Sequence, residues 1–237
     1  NRKTVSKKLL ESHPAFIRAY DVLTLDGEDL RALSFMERRA RLEQFIEDVK
    51  PERFDLSPLV DFDDIDTLTA ARAAPPSDAI EGLMLKRKAA PYVPGRPKGE
   101  WWKWKRDPFL IDAVMMYAQR GHGKRSSFYS DYTFGVWRDD EIVPVGKAYF
   151  GFTDEELKRL DKFVRDNTVD RFGPVRQVAF GDGEGLVLEV AFEGLNRSTR
   201  HKSGVAMRFP RIHRIRWDKP AAEADRLETL EAMLPAK

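Results

Sequence analysis

The chain has 237 residues, enough for one large domain or two ordinary ones, each with its own core. Apolar content of 42% and charged content of 34% exclude an intrinsically disordered chain, and no apolar run approaches the roughly twenty residues of a membrane-spanning helix. Zero cysteines exclude disulfides and thiolate metal sites, and the formal net charge of +2 excludes a globally polybasic protein.

In chain order, Ala15–Leu25 reads as an apolar strand ended by the turn dipeptide Asp26-Gly27. Ser34 with Glu37 three residues later is a capping box, and Met36, Ala40, Leu42, Phe45, Ile46 and Val49 carry a helical period up to Pro51. Asp66–Ala74 predicts a short helix closed by Pro75-Pro76, Ala79–Lys88 a strand, and Pro91–Gly99 a loop. From Pro108 the composition changes. Phe109–Gln119 predicts a strand, and Tyr132–Trp137 with Ile142–Tyr149 a hairpin. Thr153 with Glu156 caps a helix striped by Leu157, Leu160, Phe163 and Val164. Gly185–Phe192 and Met207–Trp217 supply two more strands, and Ala221–Leu234 an amphipathic helix. Three strands, a helix and two strands is the order of a five-stranded OB barrel, a frequent nucleic-acid platform.

The near-neutral total conceals segregation. Residues 47–66 hold eight acidic side chains against Lys50 and Arg53. Residues 86–106 hold eight basic ones against Glu100, and residues 195–219 hold eight against Asp218. Concentrated positive stripes interleaved with aromatics favour a polyanionic partner. The four histidines, His13, His122, His201 and His213, lack zinc-ligand spacing, so any metal should be a hard, oxygen-bound cation such as Mg²⁺.

The chemistry concentrates in Glu81-Gly82-Leu83-Met84-Leu85-Lys86 and Trp101-Trp102-Lys103-Trp104-Lys105. Side chains two apart on a strand share a face, so Lys103 and Lys105 suit a single anion. Glu81 at the head of the other strand suits the divalent metal that accompanies a phosphorylated substrate. Such a clamp serves phosphoryl or nucleotidyl transfer, where catalysis is mostly positioning and charge neutralisation. The plain alternative is a pair of amphipathic strands with solvated lysines. Two loops, Arg120-Gly121-His122-Gly123-Lys124-Arg125 and Arg197-Ser198-Thr199-Arg200-His201-Lys202, read as contacts to a nucleic-acid backbone.

These segments resemble, in order and over essentially the whole chain, the C-terminal two-thirds of ATP-dependent DNA ligases of the bacterial kind. Phe16-Ile17-Arg18-Ala19-Tyr20-Asp21-Val22-Leu23 with Leu25-Asp26-Gly27 is similar to the family's third motif, which implies that Tyr20 stacks on adenine. The helix from Ser34 with Glu37-Arg38-Arg39 resembles the segment that follows it. The Glu81–Lys86 stretch resembles the fourth motif, implying that Glu81 is the metal-associated carboxylate and Lys86 a nucleotide contact. Trp101–Lys105 resembles the fifth, implying that Lys103 and Lys105 meet the nucleotide phosphate. Arg208–Lys219 resembles the sixth, implying that Arg216, Asp218 and Lys219 orient the triphosphate.

The implied architecture is α+β. Residues 1–107 form the C-terminal part of a nucleotidyltransferase (ATP-grasp-like) domain of antiparallel sheet and helices. Residues 108–237 form a five-stranded OB-fold barrel with one helix between the third and fourth strands. The implied function is nick sealing in duplex DNA through enzyme–AMP and DNA-adenylate intermediates, with ATP and Mg²⁺, in a cytoplasmic protein that is monomeric when intact. The family's nucleophile lies in Lys-x-Asp-Gly, a motif this sequence lacks; Asp26-Gly27 has Thr24 in the required place. With Asn1 opening mid-pattern, the expectation is part of a longer enzyme, unable by itself to self-adenylate. The alternatives are an RNA ligase or capping-type nucleotidyltransferase, and an OB-fold nucleic-acid-binding protein without catalysis.

Overall fold

The structure, a computed structural model, describes residues 4–77, 80–123, 126–181 and 183–234. The chain divides into two compact units, Asn1–Arg106 and Asp107–Lys237. No helix of the described residues is long and apolar enough to cross a membrane.

The first unit consists of small pieces of sheet around helices. After α1 (Lys7–Ser12), the expected long strand is reduced to β1 (Ile17–Ala19), paired in parallel with β4 (Phe54–Leu56), and to β2 (Thr24–Leu25). β2 turns through Asp26 and Gly27, both at positive φ, into β3 (Glu28–Asp29). The turn is where Asp-Gly puts it, because both residues tolerate the left-handed region. α2 (Phe35–Val49) has the full capping box between Ser34 and Glu37. Its buried face is a correction: Phe35, Arg38, Arg39 and Leu42 are buried, while Met36 and Val49 are exposed. The hydrophobic stripe alone misplaced it, because two arginines enter the interior on hydrogen bonds and ion pairs. α3 (Ile65–Ala73) is capped by Asp64, whose side chain accepts from the Thr67 amide.

The last elements of this unit are β5 (Gly82–Lys86) and β6 (Trp101–Lys105), an antiparallel pair in the register Gly82↔Lys105, Met84↔Lys103 and Lys86↔Trp101. β5 is shorter than the expected Ala79–Lys88, and Ala79 lies outside the described residues. α3 packs against β5, with Leu68 buried and the Arg72 guanidinium 5.3 Å from the Trp104 ring centre.

The second unit is one curled antiparallel sheet. β7 (Phe109–Arg120) pairs with β8 (Tyr129–Arg138), which pairs with β9 (Glu141–Ala148); on its other side β7 pairs with β12 (Val187–Phe192), which pairs with β15 (Arg211–Arg216). With α4 (Asp154–Asp166) between the third and fourth of these strands, this is the OB order. No ladder joins β9 to β15 among the described residues, so the sheet is a half-barrel rather than a closed one.

Two hairpins were not anticipated. β10 (Thr168–Phe172) with β11 (Val175–Val178) extends the sheet beside the far end of β7, and β13 (Gly194–Arg197) with β14 (Val205–Arg208) stands between β12 and β15. Their strands are only four or five residues long and show no clear alternation of buried and exposed positions. The expected final helix is a 3₁₀ turn, Ala221–Glu223, then α5 (Leu227–Ala232). The core runs through Ile111, Met115, Phe134, Val145, Leu160, Leu188, Phe192 and Leu230, all essentially inaccessible.

Candidate functional site

In the first unit, the β5–β6 register puts Lys86, Lys103 and Lys105 on one face; Tyr20 meets that face at Lys86 and the Glu81 carboxylate meets it at Lys105. Directly opposed residues share a face, so Met84, Lys86, Trp101, Lys103 and Lys105 project to one side, and Leu83, Leu85, Trp102 and Trp104 to the other. The ladder continues at both ends: the Arg106 amide donates to the Glu81 carbonyl at 2.8 Å, and the Arg87 amide to the Glu100 carbonyl at 2.9 Å. Glu81 Oε2 lies 2.8 Å from Lys105 Nζ.

Lys86 Nζ sits among three rings, 4.3 Å from the centre of Tyr20, 4.7 Å from Phe35 and 4.4 Å from Trp101. Its burial pushes the amine below the usual lysine range; Arg39 and Arg38 push the same way and Asp21 opposes them. Tyr20, 56% exposed, presents its ring to this face. An exposed aromatic beside lysines on a strand pair offers stacking to a base and charge to a phosphate.

Asp21, the residue after Tyr20, is held by Arg38. Arg38 Nε and Nη2 each donate to an Asp21 carboxylate oxygen at 2.8 Å, while Nη1 donates to the Leu33 carbonyl at 2.6 Å and to the Ala90 carbonyl at 3.3 Å. Both side chains are essentially buried, at 0% and 5% exposure. Sequence reasoning gave this pair no role. The available signal was the i, i+3, i+7 spacing of Phe35, Arg38 and Leu42 behind the capping box.

Beside the lysine face, Met84, Tyr92, Val93, Arg96, Trp101 and Lys103 line a cleft of about 510 Å³, roofed by the proline- and glycine-rich loop between β5 and β6. Among the described residues no three His, Asp or Glu side chains cluster to hold a metal. A magnesium ion carried by nucleotide phosphates needs only one or two protein carboxylates. Glu81, at the head of β5, has the donor chemistry for that.

In the second unit, Arg216 donates from Nε and Nη2 to the Asp218 carboxylate, at 3.1 and 2.9 Å, and from Nη1 to Asp112 Oδ2 at 3.3 Å. Lys219 Nζ reaches the same Asp112 oxygen at 2.8 Å. The Arg216 fork holds the Asp218 carboxyl well below the usual range, at about 2. Asp112 was missed because it lies on β7, more than a hundred residues from both cations, amid an apolar run. Its Oδ1 is buried and has no hydrogen-bond partner among the described residues.

Of the two basic loops, Arg120–Arg125 joins β7 to β8 and Arg197–Lys202 is the turn of the β13–β14 hairpin; Lys124 and Arg125 lie outside the described residues. Arg120, His122, Arg197, Arg200 and Lys202 are exposed, and Lys202 Nζ lies 3.7 Å from Glu141 Oε2.

Residues 1–105 match the model of the ATP dependent DNA ligase domain, and residues 125–219 that of the ATP dependent DNA ligase C terminal region. The chain therefore belongs to the ATP-dependent DNA ligase family. It is 36% identical to a probable DNA ligase of Opitutus terrae over 94% of its own length and 24% of that protein's. It is 35% identical to a probable DNA ligase of Koribacter versatilis, over 97% of its own length and 43% of that protein's. The chain thus spans less than half the length of each of these relatives. Among solved structures it shares its fold with a Lig E DNA ligase at a TM-score of 0.58 and 19% identity, covering 84% of this chain and 62% of that one.

Proposed function

We propose that the chain is the carboxyl-terminal catalytic part of an ATP-dependent DNA ligase that seals nicks in duplex DNA. The observation that carries this reading is the face shared by Lys86, Lys103 and Lys105, with Tyr20 against Lys86 and Glu81 paired to Lys105. On it, Tyr20 stacks against adenine, while Lys103 and Lys105 hold the α-phosphate and neutralise the charge that develops as the phosphoanhydride breaks. Lys86, caged by the three rings, keeps a positive edge beside the base. Mg²⁺ bound with ATP, with Glu81 as its protein carboxylate, would supply further charge neutralisation at the phosphates.

Asp21 and Arg38 act at one remove, fixing the backbone from which Tyr20 projects. In the second unit, the motif resemblance supports a part for Arg216, Asp218 and Lys219 in orienting the triphosphate, with the Asp218 carboxylate holding the guanidinium. The two basic loops, one after the first barrel strand and the other between the fourth and fifth, are where OB folds bind oligonucleotides, which supports a role in gripping the DNA backbone.

The nucleophile of this chemistry is a lysine in Lys-x-Asp-Gly, a motif absent from these 237 residues. The expected outcome is therefore split. Incubated with ATP and Mg²⁺, this chain shows no added AMP by intact-protein mass spectrometry; the longest protein encoded by its reading frame does, and it seals nicked DNA. An AMP adduct on the 237-residue chain, or a full-length protein that charges with GTP or joins only RNA ends, overturns the reading.

A further inference from the structure

We infer that Arg120, Arg165 and Arg176 form a binding site for a backbone phosphate of duplex DNA, built around the ring of Tyr129. Their guanidinium carbons lie 5.5, 5.4 and 5.8 Å from that ring's centre. They come from three elements. Arg120 ends β7 directly opposite Tyr129 on β8, Arg165 stands on α4, and Arg176 on β11 faces Ala118, two residues before Arg120. Tyr129 itself is 5% exposed, so the ring is a fixed platform rather than a mobile side chain.

The charges around the ring do not balance. Among the described residues Asp161 is the single carboxylate engaged: its Oδ1 accepts from the Tyr129 amide at 2.8 Å and its Oδ2 from Arg165 Nε at 2.7 Å. No carboxylate pairs with Arg120 or Arg176 among the described residues; they donate to main-chain carbonyls, Arg120 to Ser126 and Ser127, Arg176 to Gly173 and Val175. Arg165 also donates to the Ser127 carbonyl, at 3.3 Å. These bonds aim the forks but neutralise nothing. Three like charges gathered on one ring with one counter-charge call for an anion. Guanidinium forks suit phosphate oxygens, and the base of the first basic loop is where a strand would pass. The inference extends the DNA-binding reading above by adding two arginines outside both basic loops.

The test uses the 237-residue chain and a labelled nicked duplex, with affinity measured by fluorescence anisotropy across a salt series. Arg165→Gln and Arg176→Gln each remove charge while keeping an amide donor for the carbonyls. Each is expected to weaken binding roughly 5- to 10-fold near 0.1 M salt and to reduce the salt slope by about 1, as loss of one phosphate contact requires. Arg165→Lys is expected to retain the slope, and Lys162→Gln on the same helix to change neither quantity. Melting temperatures within a few degrees of the parent exclude unfolding as the cause.

Unchanged slopes in both glutamine variants overturn the site. So does a loss confined to inorganic phosphate or tripolyphosphate binding, which would make it a free-anion site. If the parent chain shows no salt-dependent DNA affinity, the DNA-binding reading itself fails, a result distinct from either of these.

Discussion

The Glu81 carboxylate and the Lys105 ammonium, 2.8 Å apart, close one end of the strand pair β5–β6. With 25% and 42% of their side chains exposed, the pair adds under about 1 kcal/mol to stability. Glu81→Gln is therefore expected to leave the melting temperature nearly unchanged while weakening Mg²⁺-dependent ATP binding at least 10-fold by calorimetry. Equal affinity in variant and parent would remove Glu81 from the site.

Arg38 and Asp21 behave oppositely, because both are buried. Asp21→Ala strands a guanidinium in the interior and is expected to cost about 3–5 kcal/mol in urea unfolding of the first unit. The double replacement Asp21→Leu with Arg38→Met should recover much of that loss, since two apolar groups leave no buried charge. A single mutant as stable as the parent refutes the account.

Gly82 is held by the close approach of its neighbour strand. At φ +145° it leaves an added Cβ only 2.4 Å from the Trp104 carbonyl oxygen and 2.7 Å from the Lys105 Cα, both main-chain atoms. Gly82→Ala should push β6 away at the Glu81–Lys105 end and destabilise by about 1–3 kcal/mol or more, with a shift in tryptophan emission. An unchanged melting curve would show that the strands do not run so close.

Asp218 provides a pH test. Its carboxyl titrates at about 2 in the folded chain, against an ordinary value of 3.8, because Arg216 donates to it twice. A depressed carboxylate contributes its stabilisation in full above the ordinary value, loses it as pH falls from there to about 2, and contributes none below. Carboxyl ¹³C shifts should find Asp218 still ionised at pH 3. The melting curves of Asp218→Asn and the parent should differ above pH 4 and converge towards pH 2.

Much of this was legible in the amino-acid order alone. The capping boxes at Ser34 and Thr153, the Asp26-Gly27 turn and the shared face of Lys103 and Lys105 depend on residues at most a few positions apart, so short-range geometry decides them. The principal barrel strands were legible as apolar runs bounded by turn or polar residues, and their helix by its single apolar stripe. Tertiary structure alone decided what lies across from what: Glu81 beside Lys105, Asp21 under Arg38, Asp112 between Arg216 and Lys219, and three arginines on Tyr129. It also turned α2 so that Arg38 and Arg39 face inward, against the hydrophobic stripe. Strand register and buried ion pairs join residues tens to more than a hundred positions apart, and such partners are chosen by packing and charge satisfaction in the folded chain, not by spacing along it.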